Sequence, residues 1–274
     1  TEEQMRFQLY TALAFGMDSI SWWGYAPNQA TGAIIVDGQR AVKADGTKNT
    51  EVYNAIQKVN AELATFGPLY KTYDWQGVIM SSPSKGFIGI GKDAQYEAFN
   101  KVKNESVFSK YLLSASNTDA FSSVSGSGSN YVMSVMKDKN NNEAFAVVNY
   151  SAVEDNKTLK LTLKANENGQ YIIYTEGGSQ TVDITTGGYT LTLAPGQGAF
   201  IVSASTAHTV TFKNWDGTVL QSDKVSYGEM PVYTGATPTK DGYEFAGWSK
   251  TADGSTTVKN SFVVVAETTF YAIW

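Results

Sequence analysis

Apolar side chains at the start of the chain recur at helical spacing. Met5, Leu9 and Leu13 fall on one helix face, behind two acidic residues that suit the positive end of a helix dipole. Gly16 is placed as a C-terminal cap. The pattern predicts a helix over about 2–15.

A second apolar run predicts another helix before residue 67. Its apolar positions step by four and three residues and comprise Val52, Ile56, Val59, Leu63 and Phe66. Asn49 or Thr50 is a suitable N-cap, and Gly67-Pro68 predicts the end of the helix.

Residues 17–25, between these helices, are short, apolar and rich in aromatic side chains, which favours a buried strand. A strand without a partner leaves its backbone polar groups without hydrogen bonds. The first 75 residues visibly contain no partner for it. We therefore expect residues 1–75 to be the closing α/β unit of a larger layer whose earlier strands lie upstream.

The middle of the chain, residues 76–204, shows short alternating runs separated by turn residues, the pattern of an antiparallel β-sandwich. Residues 131–137 and 144–150 are expected to pair across the turn at 140–142. Asn168-Gly169 predicts a two-residue hairpin. The Ser/Gly-rich residues 122–129 are predicted to be flexible.

The last stretch, residues 208–274, alternates large apolar side chains with polar ones and places Asp-Gly pairs between the runs. Asp-Gly supplies the positive φ that tight turns require, so we predict strands joined by hairpins. A module this small needs a dense core. The aromatic side chains expected to provide that core are Trp215, Tyr227, Tyr233, Tyr243, Phe245, Trp248, Phe262, Phe270, Tyr271 and Trp274.

Residues 210–212, 225–228, 238–248 and 270–274 together closely resemble the internalin B-type (Listeria–Bacteroides) repeat. The resemblance covers the whole of 208–274. It implies a small β-grasp-like module of the kind found on bacterial surface and secreted proteins. It therefore implies a location rather than a reaction.

A second resemblance concerns residues 8–25, together with Tyr53, residues 60–63 and Gly67-Pro68. These look like the last βα unit of a clan A (β-galactosidase-like) glycoside hydrolase barrel. That resemblance implies a polysaccharide or cell-surface glycan as partner. The candidate side chains for stacking on a sugar ring are then Trp22, Trp23 and Tyr25. For Trp22-Trp23, packing in a core is an equally good interpretation.

No catalytic pair of carboxylates can be assigned. Glycoside hydrolases of this clan use two carboxylates that flank the glycosidic bond, and the resemblance implies that both lie on earlier strands. Glu2 and Glu3 are adjacent on a helix and point in different directions, so we interpret them as charges of the first turn.

Composition narrows the partners. The formal net charge is −5 and no Lys/Arg block occurs, which argues against nucleic acid as partner. No apolar run approaches the roughly 20 residues of a membrane span, so no membrane insertion is expected. His208 is the sole histidine and no cysteine occurs, which excludes a multi-histidine zinc site. We expect no cofactor and no metal.

The sequence thus predicts a multidomain α+β chain: a terminal βα unit of a (β/α)8-type barrel, an antiparallel β-sandwich and a small β-grasp-like C-terminal module. The expected function is that of a non-catalytic part of a secreted or cell-surface glycoside hydrolase. The alternative is a non-enzymatic surface adhesion or carbohydrate-binding protein. The oligomeric state is left open.

Overall fold

The computed structural model describes residues 1–22, 41–43, 45–81, 109–204, 207–226, 229–254, 262, 264 and 267–274. The chain divides into two compact units, Thr1–Val202 (unit 1) and Ser203–Trp274 (unit 2). Residues 1–75, expected to form a unit of their own, therefore lie in the same compact unit as the residues that follow them.

Both helices of unit 1 are present. Helix α1 (Glu2–Ala14) begins at Thr1, whose side chain accepts a hydrogen bond from the Gln4 backbone in a capping box. Helix α2 (Thr50–Tyr70) runs past the stop predicted at Gly67-Pro68. Proline in the last turn removes only one backbone hydrogen bond. Leu69 and Tyr70 are buried, so packing of the final turn outweighs that loss.

The strand predicted at 17–25 is not found among the described residues of that segment, 17–22. The chain turns at Gly16, whose φ is +78°, and the Met17 N–H bonds back to the Ala12 carbonyl. Residues 17–19 are exposed and no described strand lies beside them. The described residues therefore contain no unit of a (β/α)8-type barrel. Residues 23–25 lie outside the described part.

The remaining described part of unit 1 consists mainly of strands in two sheets. The strands are β1 (Asp74–Met80), β2 (Phe121–Ser127), β3 (Tyr131–Lys137), β4 (Glu143–Asn149), β5 (Leu159–Ala165), β6 (Gly169–Thr175), β7 (Gly178–Ile184), β8 (Tyr189–Leu193) and β9 (Gly198–Ser203). A six-stranded sheet has the order β1-β3-β4-β9-β6-β7, and a three-stranded sheet has the order β2-β5-β8.

The pairing confirms one predicted hairpin and corrects two other predictions. β3 and β4 pair antiparallel, with Tyr131 opposite Asn149. The Asn168-Gly169 segment does not form a hairpin, because β5 and β6 belong to different sheets and the chain crosses between them. The Ser/Gly-rich 122–129 is largely strand, since β2 pairs with the alternating β5.

Burial explains how the sheets pack. Every residue of β4 is buried, whereas β5 alternates buried and exposed positions. A strand covered on both faces has the first pattern, and a strand with one solvent face has the second. One side of the six-stranded sheet, with Phe145, Val147 and Ile201, shares a core with Leu161 and Leu163 of the three-stranded sheet. The two sheets form a sandwich.

The other side of the six-stranded sheet is covered by the helices. Phe200 of β9 stacks on Phe66 of α2 at 5.2 Å between ring centroids, and Tyr10 of α1 stacks on Phe66 at 6.1 Å. Gly198 permits this approach, because a Cβ there would lie 2.1 Å from the Tyr10 ring. The helices are thus a third layer of the β-sandwich unit.

Unit 2 contains one mixed four-stranded sheet. Its strands are β10 (Ala207–Lys213), β11 (Val219–Ser226), β12 (Gly247–Ser249) and β13 (Thr268–Ile273), in the order β11-β10-β13-β12. β10 and β13, the first and last strands, lie side by side and parallel, and the other pairs are antiparallel. Its core is built from Val210, Phe212, Val264 and Phe270.

Candidate functional site

Trp22 is the one proposed sugar-contacting residue that the described part contains. It is half-buried, and its indole Nε1 donates a hydrogen bond to the side-chain oxygen of Asn60 at 3.0 Å. Asn60 is exposed on α2. The bond fixes the orientation of the indole ring relative to α2. Trp23 and Tyr25 lie outside the described residues, so their part in a site stays a prediction.

Helix α2 is held in place by a charged group that we call the Arg6 cluster: Arg6, Glu2, Glu62, Glu176 and Tyr10. Arg6 is 4% exposed, and its three guanidinium nitrogens contact Glu2 at 2.7 Å, Glu62 at 2.9 Å and Glu176 at 2.9 Å. The Tyr10 hydroxyl donates to the second oxygen of Glu62 at 2.7 Å. The cluster therefore ties α1, α2 and the β6–β7 turn together.

The four charged members of the Arg6 cluster line a cleft of about 570 Å³. Hydrogen bonds from Lys58 and Arg6 hold the pKa of Glu2 below its usual 4.5. Burial, followed by the charge of Glu62, raises the pKa of Tyr10 well above 10. A general acid needs a carboxyl group whose pKa is raised toward neutrality. Lowering the pKa of Glu2 has the opposite effect, so this geometry favours a structural role.

Sequence reasoning missed Arg6. Its contacts to Glu62 and Glu176 join residues that are far apart in the chain, the first by 56 positions. The available signal was the spacing of Glu2 and Arg6, four residues apart, at which opposite charges meet on one helix face.

Loop acids that could have bound a cation make other contacts. Asp138 accepts from the Asn140 and Asn142 backbones and from the Asn142 amide, which closes the β3–β4 turn. Glu154 accepts from Gln4, and Asp155 pairs with Lys157. Within the described ranges, no group of three or more His, Cys, Asp or Glu side chains converges to hold a metal ion. His208 lies in β10.

Unit 2 carries a second candidate surface, the tip cluster, which we define as Trp215, Lys240 and Tyr243. The Lys240 ammonium lies 5.3 Å from the Trp215 ring centroid and 4.1 Å from that of Tyr243. Trp215 is 55% exposed and Tyr243 is 61% exposed. The expectation that both belong to the core is therefore wrong.

The position of these two rings follows from the turns beside them. Trp215 directly precedes Asp216-Gly217, and Tyr243 directly follows Asp241-Gly242. Residues at a tight turn protrude from the sheet and have few neighbours that could cover them. The neighbouring Asp-Gly pairs are thus the sequence signal that could have distinguished Trp215 and Tyr243 from the aromatic residues of the core.

No helix in the described residues is long and apolar enough to span a membrane.

The fold and these surfaces define a β-rich chain of two units, one of them a helix-covered sandwich and the other a small mixed sheet. Residues 208–273 match the Listeria-Bacteroides repeat domain family, which confirms the resemblance drawn for the end of the chain. Domains of this family occur in surface or extracellular bacterial proteins. Searches of curated proteins and of solved structures found no significant match. The likeness of residues 8–25 to glycoside hydrolases stays a prediction.

Proposed function

We propose that this chain is a non-catalytic, glycan-contacting part of a secreted or cell-surface bacterial glycoside hydrolase. The repeat family matched by residues 208–273 supports the location. The strand order of unit 2, with β10 and β13 parallel and adjacent, supports the β-grasp-like shape that the resemblance implies. The likeness of residues 8–25, Tyr53, residues 60–63 and Gly67-Pro68 to clan A barrels supports the parent enzyme class.

The observation that carries the glycan contact is the pairing of Trp22 with Asn60. Aromatic rings bind sugars through the apolar face of the pyranose, and side-chain amides bind the hydroxyls at its edge. The 3.0 Å hydrogen bond holds the Trp22 indole in one orientation before a ligand binds. Less side-chain conformational entropy is then lost on binding. Asn60 is exposed and Trp22 is half-buried, so part of each group is open to solvent.

The Arg6 cluster supports this surface from beneath. Glu62 lies two residues after Asn60 on α2, and its carboxylate is fixed by Arg6 and Tyr10. A binding group on a rigid helix holds its geometry better than one on a loop. The cluster therefore positions Asn60 without itself contacting the glycan.

The test is binding of the full 274-residue chain to soluble polysaccharides, measured as retardation in affinity gel electrophoresis. Trp22→Ala is expected to weaken binding by about tenfold, because loss of one stacking ring costs up to about 1.5 kcal/mol. Trp22→Phe keeps a ring and should retain part of the affinity. Met17→Ala, which truncates an exposed apolar side chain of the same segment, is the control for the half-buried Trp22. Equal affinity of Trp22→Ala and the unaltered chain would contradict this assignment.

A non-enzymatic adhesion or carbohydrate-binding protein is the second candidate, since exposed aromatic side chains serve it equally well. The two candidates differ in what happens to the bound glycan. Hydrolysis of that glycan by the product of the whole gene supports the glycoside hydrolase, whereas binding without hydrolysis supports the adhesion protein.

A further inference from the structure

The tip cluster of unit 2 is a rigid arrangement. In the first turn the Asn214 N–H donates to the Thr218 carbonyl at 2.8 Å, and Asp216 accepts from the Thr218 backbone at 2.9 Å. In the second turn the Tyr243 N–H donates to the Lys240 carbonyl at 3.0 Å. Each turn has its own backbone hydrogen bonds, so the adjacent rings sit on fixed supports.

Unit 2 has an aromatic core that buries other large rings, so the absence of such a core does not explain why Trp215 and Tyr243 are exposed. Phe212, Trp248 and Phe270 contact one another in the core, with Phe212 lying 4.8 Å from Trp248 and 5.1 Å from Phe270. Trp215 and Tyr243 instead flank a common ammonium group, which attracts the faces of both rings. The result is a small aromatic surface with a hydrogen-bond donor at its centre.

That chemistry fits a saccharide. The apolar face of a sugar ring stacks on an exposed indole or phenol, and its hydroxyl oxygens accept hydrogen bonds from an ammonium group. The Lys240 nitrogen lies over both rings, 5.3 Å from the Trp215 centroid and 4.1 Å from the Tyr243 centroid, and both rings remain more than half exposed, so a sugar can stack on the ring surface that the ammonium leaves open.

Charge decides between a neutral and an anionic glycan. Asp216 and Asp241, the direct neighbours of Trp215 and Lys240 in the sequence, are both exposed. With exposed Glu244 beside Tyr243, three carboxylates directly neighbour the tip cluster in sequence against one ammonium, which disfavours a polyanion, whereas carboxylate oxygens are good acceptors for sugar hydroxyls. The local charge therefore favours an uncharged ligand.

We propose that the tip cluster is a binding site for a neutral polysaccharide, with sugar rings stacked on Trp215 and Tyr243 and with Lys240 donating to their oxygens. The site is separate from Trp22 and does not rest on the function proposed for unit 1. It gives unit 2 a binding role in addition to any role as a spacer.

The experiment uses the full chain with soluble neutral β-glucan, xylan and galactomannan, and alginate as the polyanionic comparison, in affinity gel electrophoresis. In a chain that already carries Trp22→Ala, adding Trp215→Ala or Tyr243→Ala should weaken the remaining binding of a neutral polysaccharide by about tenfold, and adding both should abolish it. Val232→Ala, which truncates the exposed aliphatic side chain of the same unit, should bind normally. Circular dichroism verifies that each variant is folded.

Several outcomes would overturn the site. These are no retardation of the Trp22→Ala chain by any of the three neutral polysaccharides, unchanged binding when both tip substitutions are added to that chain, or salt-sensitive binding to alginate alone. Binding to a purified surface protein in the absence of glycan would assign the tip cluster to a protein partner instead. The combined variants separate the two proposals, because binding that the Trp22→Ala chain retains is assigned to the tip cluster, whereas binding that the chain with both tip substitutions retains and Trp22→Ala removes is assigned to Trp22.

Discussion

The two units treat their aromatic side chains differently. In unit 1, Tyr10, Phe66 and Phe200 are fully buried between the helices and the six-stranded sheet. In unit 2, Phe212 and Phe270 are buried, whereas Trp215 and Tyr243 are more than half exposed. A smaller unit has more surface for its volume and covers a smaller share of its side chains. The comparison teaches that an aromatic residue in a layer between elements supports the architecture, whereas one at a turn is available for binding.

The strongest test of that comparison is Phe200→Ala. Phe200 contacts Phe66, Tyr70, Tyr73 and Tyr174, so its removal leaves a cavity between the helices and the sheet. We expect the free energy of unfolding of unit 1 to fall by about 3–5 kcal/mol in urea denaturation. Phe200→Leu, which keeps most of the volume, should cost less. A loss below about 1 kcal/mol for the alanine variant would mean that the helix layer is not packed on this ring.

The second largest expected loss of stability comes from breaking the buried ion pair of Arg6 and Glu62. Arg6→Ala removes the partner of Glu62, whose side chain is 4% exposed, and leaves a buried carboxylate without a counter-charge. Removing one partner of a buried pair costs about 3–5 kcal/mol, and the partial exposure of Glu2 and Glu176 places this case near the lower end. Urea denaturation measures the loss.

The control for Arg6→Ala is Lys58→Ala. Lys58 also binds Glu2, at 2.8 Å, but its side chain is 65% exposed, and exposed ion pairs contribute about 0–1 kcal/mol. Equal losses from the two variants would contradict the role of the Arg6 cluster as the buried connection between α1, α2 and the β6–β7 turn.

Much of the fold could be predicted from sequence because it is set by local periodicity. The apolar steps of 3.6 residues gave α1 and α2, and alternation on both sides of residues 140–142 gave the β3–β4 hairpin. The predictions that failed concern segments whose structure depends on partners far away in the sequence. β2 looks like a linker because of its serines and glycine, yet it is ordered by pairing with β5. Local sequence does not carry that information.

The strand predicted at 17–25 is not found in the described residues 17–22, for a related reason. An apolar and aromatic run is compatible both with a buried strand and with an irregular segment that packs one large side chain. In the structure the Trp22 indole contacts Asn60 on α2. The sequence pattern identified Trp22 as a candidate site residue. It did not identify Asn60, whose side-chain oxygen accepts the hydrogen bond from Trp22, because 38 residues separate the two.

A smaller effect is expected from pH. The pKa of Glu2 is lowered by its hydrogen bonds to Lys58 and Arg6. A carboxyl group with a lowered pKa in the folded state contributes stability above its unfolded pKa, and that contribution is lost as the pH falls through the folded value. The free energy of unfolding of unit 1 should therefore decline as the pH drops below 4.5.

Urea denaturation at a series of pH values measures this decline, and Glu2→Gln should make it shallower. Glu244→Gln, at an exposed position in unit 2, serves as the matched control and should leave the decline unchanged. The same slope in the Glu2→Gln variant and the unaltered chain would remove Glu2 from the explanation.

The smallest expected effect is the one that most sharpens the comparison. Trp215→Ala removes a large ring of unit 2 that is 55% exposed and lies 5.3 Å from the Lys240 ammonium. An exposed cation–π pair contributes about 0.5–1 kcal/mol, so the loss of unfolding free energy should stay below about 1 kcal/mol. Phe270→Ala, in the core of the same unit, should cost about 3 kcal/mol or more. If Trp215→Ala proved as costly as Phe270→Ala, the ring would be part of the architecture, and its exposure would no longer argue for a binding role. If Trp215→Ala keeps the free energy of unfolding but loses glycan binding, experiment distinguishes the exposed aromatic residues from the core aromatic residues in the same way as burial does.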